Sequence, residues 1–351
     1  MSVKPAITVV TCMRNEGPFV VEWLAHLRRL GVQRVLVYTN DCRDGTEDLL
    51  DALSSEGVIH VRQGRALGDS DEGRTPQWRA MAAAWDHPVC AGADWLLHID
   101  PDEYIAIDGG HDLPAFLART PEAQAIALPW RLFGCNGRLN AGSGTTPERF
   151  PLAAPPGVAY PALASYFKTL FRRDGPFDGF GIHRPRQTSA PVFLDDCGRR
   201  DDDLARAARR ILLWRAGNPP DGRQVQLNHY STRSVHEFLV KRERGLPNHV
   251  GKAIDLEYWV ERNFNQVACR MFTPQLPAMT DEITCLRVHP AVAAAEERCR
   301  AWHRAELARI LATPEGARFC GRLALAATSQ APDPALGRAL VAQTRKAQAT
   351  R

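Results

Sequence analysis

The 351-residue chain has no CxxC pair, no block of like charge and no basic run with interleaved aromatics. It also lacks any stretch of about 18 consecutive apolar residues, the length a membrane-spanning helix needs. Each absence removes a class. The nine cysteines, at 12, 42, 90, 135, 197, 269, 285, 299 and 320, are scattered and are expected as reduced thiols. With 44 basic and 40 acidic residues the net charge is only +4, which argues against nucleic-acid binding and leaves a weak attraction to anionic substrates or an anionic membrane surface. The opening MSVKPAITVVTCMRNE has too short an apolar run before Arg14 for a signal peptide. A cytoplasmic protein is therefore expected, with any membrane contact peripheral, at the inner face. What is present is ordinary for a globular chain: 44% hydrophobic and 24% charged residues, enough to bury a substantial core.

The first hundred residues alternate strand-like and helix-like patterns in the order of a parallel sheet. AITVVTC (6–12) is a β-branched apolar run of the kind a central strand requires. It is followed by GPFVVEWLAHLRRL (17–30), with Val20, Trp23, Leu24, Leu27 and Leu30 on one helical stripe and Gly31 as a stop. VQRVLVYTN, TEDLLDALSSEG and VIHVRQ repeat strand, helix and strand. Another helix is expected over 76–91 and a strand over 94–100, then strands in IALPWRLFG and ASYFKTLFRR around a Gly/Pro-rich stretch from 134 to 162. From about 231 the pattern is helical. The expected class is α/β, with 1–230 as the binding and catalytic domain and 231–351 as a mainly helical C-terminal region.

The strongest chemical feature is His98-Ile99-Asp100-Pro101-Asp102-Glu103, directly after an apolar strand. In open α/β sheets ligands bind beyond the carboxyl ends of the strands. Two carboxylates at i and i+2, with Pro101 stiffening the turn, can direct oxygens toward one hard cation that neutralises a diphosphate. An acidic helix cap has the same composition, and position distinguishes the two. The loops Thr11 to Glu16 and Asn40 to Thr46 follow the first two strands and should face the same edge. Asn15 and Asp44 could equally cap helices there. Lys168, Arg172 and Arg173 could meet phosphate, but on a strand such residues are more often solvated or structural. The helical stripe Arg298, Arg300, Arg304 and Arg309 could approach a membrane surface, but a solvated helical face is the expectation.

Together these segments resemble the family-2-like glycosyltransferases of GT-A fold, which are Rossmann-like. TCMRNEG matches their "T-x-x-R/K-N-E" opening, NDCRDGT stands at their "D-D-x-S-x-D-x-T" segment, and WLLHIDPDEYI matches their DxD strand. The resemblance is to a bacterial subgroup related to the family-92 enzymes, which shows a "W-x-x-F-G" (Trp130 to Gly134), an "H-R-P" (His183 to Pro185) and a tail like NHYSTRSVHEFLVKRERG (Asn228 to Gly245). It covers roughly residues 6 to 245. The resemblance implies that Thr11, Arg14, Asn15 and Glu16 line a nucleotide pocket, with Asn40 and Asp44 near base and ribose. It further implies that Asp100 and Asp102 hold Mn²⁺ or Mg²⁺ and the diphosphate, that His229 completes the metal site, and that Trp130 and His183 contact substrate. Asn40 and Cys42 depart from the family's Asp and Ser, which leaves base identity open.

The implied activity is transfer from a nucleoside-diphosphate sugar, with a UDP-sugar favoured, to a saccharide or lipid-linked acceptor in surface polysaccharide or glycoconjugate synthesis. Inversion is the family's usual outcome and needs a general base. Asp178 is the leading candidate, Asp195 and Asp196 are alternatives, and Glu103 either helps to place the donor sugar or pairs with a nearby cation. Two other classes compete. A Mg²⁺-dependent nucleotidyltransferase would carry a glycine-rich loop after the first strand, which TCMRNEG is not. A noncatalytic carbohydrate-binding domain would not need DPDE together with a histidine ligand.

Overall fold

The structure, a computed structural model, describes residues 4–63, 75–213, 222–245 and 254–349. Strand β1 (Ile7–Met13) is buried along its whole length, as a β-branched run between two layers requires. Helix α1 (Gly17–Arg29) follows with Pro18 in its first turn, and Gly31, at φ +86°, turns the chain into β2 (Arg34–Thr39). Helix α2 (Thr46–Ala52) and β3 (Val58–Arg62) complete the first β-α-β-α-β unit. The helix expected over 76–91 is broken. Helix α3 (Pro76–Asp86) ends because Pro88 holds His87 in extended backbone, and α4 (Pro88–Ala91) restarts with the His87 side chain as its cap.

The next elements are β4 (Trp95–His98), β5 (Glu103–Ile107), α5 (Leu113–Leu117), β6 (Ala125–Leu132), α6 (Thr146–Arg149) and β7 (Leu152–Ala153). Then come β8 (Phe167–Arg172), β9 (Phe177–Gly179), β10 (Arg186–Gln187), β11 (Phe193–Leu194), α7 (Asp202–Arg206) and β12 (Val225–His229). The C-terminal part carries α8 (Val235–Arg244), α9 (Leu256–Val260), β13 (Val267–Ala268) and α10 (Leu276–Arg287). It closes with α11 (Pro290–Leu311), α12 (Pro314–Leu325) and α13 (Pro334–Ala349).

The main sheet has nine strands, in the order β3-β2-β1-β4-β8-β6-β12-β5, with β11 beside the start of β6. The pairings β1 with β2 and β4, β2 with β3, and β6 with β11 and β12 are parallel; β8 and β5 run the other way. The mainly parallel sheet places the ends of β1, β2, β4, β6 and β12, and the start of β8, on one edge. The functional candidates gather there.

Helix α1 buries Val20, Trp23, Leu24 and Leu27. Each such side chain contributes about 1.5–3 kcal/mol when fully removed from water. Helices α10 and α11 pack on α1 from outside, and their Met279, Ile283, Val292 and Cys299 belong to the same core. The residue 230/231 boundary falls between β12 and α8, yet the C-terminal helices share the core of the sheet. The Arg stripe on α11 lies in ion pairs: Arg300 with Glu296 at 2.8 Å, Arg304 with Glu297 at 2.7 Å, Arg309 with Glu306 at 2.6 Å, and Arg298 at 4.0 Å from Asp48. No helix among the described residues is long and apolar enough to cross a membrane.

Candidate active site

The chain leaves β4 in a tight turn closed by the Glu103 amide donating to the Asp100 carbonyl at 3.0 Å, with the Glu103 carboxylate accepting from the Asp100 amide at 2.8 Å. Glu103 is fully buried and also accepts from Trp130 Nε1 at 2.7 Å. Burial lifts its pKa well above the usual carboxylate range, with Lys168 acting in the opposite direction. It braces the turn and the Trp130 ring and does not line the cleft.

The two aspartates face different cations. Asp100 accepts from Lys168 Nζ at 2.9 Å and from Gln77 Nε2 at 3.2 Å. Of the two strand-residue alternatives, solvated or structural, Lys168 is the structural one: it is buried, because the antiparallel run of β8 brings its start to the site edge. Arg172 pairs with Asp174 at 2.8 Å and Arg173 stacks 3.8 Å over Trp85, so neither meets a phosphate site. Asp102 accepts from Lys241 Nζ at 2.7 Å, and its other oxygen lies 3.6 Å from His229 Nε2. Burial alone would raise the Asp102 pKa; Lys241 and His229 outweigh it and hold the carboxyl well below the usual range. Burial lowers the pKa of His229, against the pull of Asp102, and favours the neutral ring.

Asp102 and His229 suit a divalent cation. Ligands about 2.1 Å from one octahedral ion stand about 3 Å apart, close to the observed span. The other ring nitrogen, His229 Nδ1, is buried without a hydrogen bond among the described residues. Asp100, turned to Lys168, stands apart from this pair. A separate trio, Asp195, Asp196 and Cys197, has ligand atoms within 4.8 Å of one another, but Asp196 pairs with Arg223 at 2.7 Å and the trio follows β11, beside the start of β6 and away from the edge where DPDE lies.

A cleft of about 1550 Å³ opens over the acidic turn and is lined by Arg14, Glu16, Asn40, Asp100, Asp102, Trp130, His183 and His229, all expected from the sequence. Thr11, Asn15 and Asp44 do not line it. Thr11 is fully buried in β1. Asn15, at φ 52°, accepts from the Arg43 amide at 2.7 Å and ties the first two loops together. Asp44 accepts from the Gly17 and Thr46 amides at 3.0 and 2.9 Å, from the Thr46 hydroxyl at 2.6 Å, and faces His303 Nε2 at 3.0 Å. These bonds satisfy its carboxylate as a brace between loops. Asp178 sits on the exposed β9–β10 ribbon, paired with Arg186 at 2.6 Å, outside the cleft lining.

Trp130 forms the aromatic wall, with ring centroids 4.2 Å from His229 and 5.3 Å from His183. His183 Nδ1 lies 3.2 Å from the Phe167 carbonyl, and burial, then Lys168, lowers its pKa to about 3. Composition and spacing did not single out Gln77, Arg233, Lys241 or Arg244. Lys241 and Arg244 sit three apart on α8 and therefore share a face, a signal present in the KRERG tail. Arg244 pairs with Glu16 and donates to the Arg14 carbonyl at 2.8 Å. Arg233, at φ 51°, lies 3.4 Å from Glu16, 3.5 Å over Phe19 and 3.2 Å from the Pro101 carbonyl. A non-glycine residue in that backbone region is held by its surroundings, here three elements of the site.

A mainly parallel sheet flanked by helices, with an acidic turn at the carboxyl end of its fourth strand, is the GT-A arrangement. Residues 7–137 match the family description "Glycosyltransferase family 92". The chain is related to the family-92 glycosyltransferases. It is 25% identical over 188 residues to the Oryza sativa subsp. japonica protein Glycosyltransferase family 92 protein Os08g0121900, covering 48% of this chain and 30% of that protein. It is 39% identical over 54 residues to Glycosyltransferase family 92 protein At1g27200 of Arabidopsis thaliana, covering 15% and 9%. The chain thus spans less than a third of the curated relatives it matches. Among solved structures, core-mannan synthase A from Aspergillus fumigatus in its Mn/GDP form aligns at 9% identity over 39% of this chain and 45% of that one, with a TM-score of 0.26. That score adds nothing to the fold argument.

Proposed function

We propose that the protein is a metal-dependent glycosyltransferase that moves a sugar from a nucleoside-diphosphate sugar, UDP-sugar favoured, to a saccharide or lipid-linked acceptor with inversion. The observation that carries this reading is the pairing of Asp102 with His229 at 3.6 Å, flanked by Lys241 and, through Asp100, by Lys168, on the floor of the cleft. Mn²⁺ or Mg²⁺ held by Asp102 and His229 would supply charge neutralisation for the departing diphosphate.

The chain's own residues do the rest. Lys241 and Lys168 place fixed positive charge beside the carboxylates, where negative charge accumulates as the glycosidic bond breaks. Arg14, Glu16 and Asn40 line the end of the cleft beyond β1 and β2, where a nucleoside would lie. Trp130, Tyr166 and His183 form the opposite wall, with rings packed tilted or edge to face that offer an aromatic surface to the apolar face of a sugar. The Glu103 bond to Trp130 Nε1 fixes that wall relative to the acidic turn.

The test is a thermal-shift screen of UDP, GDP, CDP and dTDP and their sugars, each with Mn²⁺, Mg²⁺ or EDTA. A ligand that binds only the native state raises its melting temperature. Metal-dependent stabilisation by one nucleotide, lost in Asp102→Ala and His229→Ala, supports the reading and identifies the base. Stabilisation by none of them overturns it.

A further inference from the structure

A second cavity, of about 350 Å³, shares Trp130 with the main cleft. Its lining is basic on one side and apolar on the other: Arg131, Arg223 and Arg338 face it together with Leu132, Ala159 and Leu213. Arg131 is the unusual member. It is only 8% exposed, yet among the described residues its guanidinium has no hydrogen bond or ion pair, and its Nε is buried with no partner. Its neighbours are the Cys269 thiol and another cation, Arg223. Burial lowers its pKa to about 10, which still leaves it charged at neutral pH.

A buried guanidinium with five donors and no acceptor is costly, because desolvation is not offset. Arg149 and Arg184, of similar burial, also leave Nε unpaired, but their terminal nitrogens are bound. Arg149 binds Glu237 at 2.9 Å, and Arg184 donates to the Leu204 carbonyl at 2.7 Å. Arg223 is partly satisfied, by Asp196 at 2.7 Å and Gln226 at 3.3 Å. Arg338 enters from α13, where Gly337 sits against Ala159: a Cβ at 337 would lie 3.2 Å from the Ala159 Cβ. That close approach brings the third guanidinium to the rim.

We infer that this cavity holds the anionic group, phosphate or carboxylate, of a charged saccharide acceptor, with Arg131 as its principal donor. The inference rests on the transferase reading for the word acceptor, while the anion site stands on Arg131 itself. A planar guanidinium matches the two oxygens of either group. The volume accommodates a substituent and part of a sugar ring, and Trp130 connects it to the wall beside His229, where transfer would occur.

The experiment is thermal-shift titration of the full chain with glucose 6-phosphate, glucuronate and neutral glucose, alongside UDP with Mn²⁺ as a control. The charged sugars should stabilise and glucose should not, with the tighter of the two naming the group. Arg131→Met should weaken the charged sugars at least about tenfold, the loss of one charge-assisted bidentate contact. It should leave the UDP response unchanged and the unliganded melting temperature equal or higher. Arg338→Ala, on an exposed helix face, should weaken the same ligands less while folding normally. Unchanged charged-sugar binding in both variants overturns the inference, as does a melting temperature several degrees lower in Arg131→Met, which would show that the guanidinium already has a partner. A missing UDP response with charged-sugar binding still dependent on Arg131 would sink the transferase reading and the acceptor role while leaving the anion site.

Discussion

Lys241 Nζ stands 2.7 Å from Asp102 Oδ2 although 139 positions separate them in the chain. The same ammonium donates to the Ser231 carbonyl at 2.8 Å, so one side chain ties α8 to the segment after β12 and to the acidic turn after β4. Removing one partner of a buried pair leaves the other uncompensated, at a cost of about 3–5 kcal/mol. Lys241→Met is therefore expected to lower the unfolding free energy by an amount approaching that range and to reduce kcat/KM by about tenfold or more. Urea unfolding and steady-state kinetics check the two effects. Full activity in Lys241→Met would remove this lysine from the donor site.

The Trp130 indole donates to Glu103 while its ring packs on His229. Trp130→Phe keeps the packing surface and deletes the donor, leaving a buried carboxyl oxygen without its bond, a penalty of about 1–3 kcal/mol. A lower melting temperature together with a higher acceptor KM and unchanged nucleotide binding is expected. An unchanged melting temperature would mean that the bond contributes nothing to the turn.

The alternation of β-branched runs and amphipathic helices up to β4 was legible because local periodicity decides those elements, and DPDE was legible because it falls at a strand end. Strand β12 was not, since VQLNH mixes polar and apolar residues and forms a strand by pairing with both β6 and β5. For the same reason the alternatives for Lys168, solvated or structural, stayed open: its burial depends on β8 being inserted antiparallel between β4 and β6. Asp44 shows the converse. Its spacing fits both a cap and a ribose contact, and only the arrival of Gly17 and His303 from distant segments shows its carboxylate already satisfied. Asp178 was chosen by nearness to His183 in sequence, and the ribbon carries it to the surface.

Gly17 opens α1 where α11 crosses it. A Cβ there would meet Cys299 Sγ and Cβ inside van der Waals contact, and Gly17 also donates its amide to Asp44 at 3.0 Å. Overpacking a buried contact costs about 1–3 kcal/mol. Gly17→Ala should destabilise by that amount, and Cys299→Ala in the same chain should recover part of the loss, because it removes Sγ and leaves only the Cβ, 2.5 Å from the new methyl, in the way. A double variant no more stable than Gly17→Ala would place the strain in the loop instead of the helix crossing.

His26 fixes the sign of the pH dependence. It is buried, its Nε2 accepts from the Ile105 amide at 3.0 Å, and burial lowers its pKa from 6.5 to about 3. The unfolded chain binds a proton at this ring as pH falls through about 6.5, whereas the folded chain refuses it until about 3, so stability is lost on acidification across that window. The slope is about 1.4 kcal/mol per pH unit for one such group. His98, lowered to about 4, and His183, lowered to about 3, both chiefly by burial, act with the same sign. Asp102, held well below its usual range, adds stability above about pH 4 that is lost at lower pH, so it does not reverse the trend. Glu103, lifted well above the usual carboxylate range, acts with the opposite sign, one group against three histidines, so the unfolding free energy from urea titrations should still fall as pH drops below about 6.5. His26→Leu should lower stability at pH 7.5, because the Ile105 amide loses its acceptor, yet reduce the slope between pH 6 and 4.5 by about one histidine's share. A slope equal to that of the unsubstituted protein would mean that His26 titrates normally in the folded state.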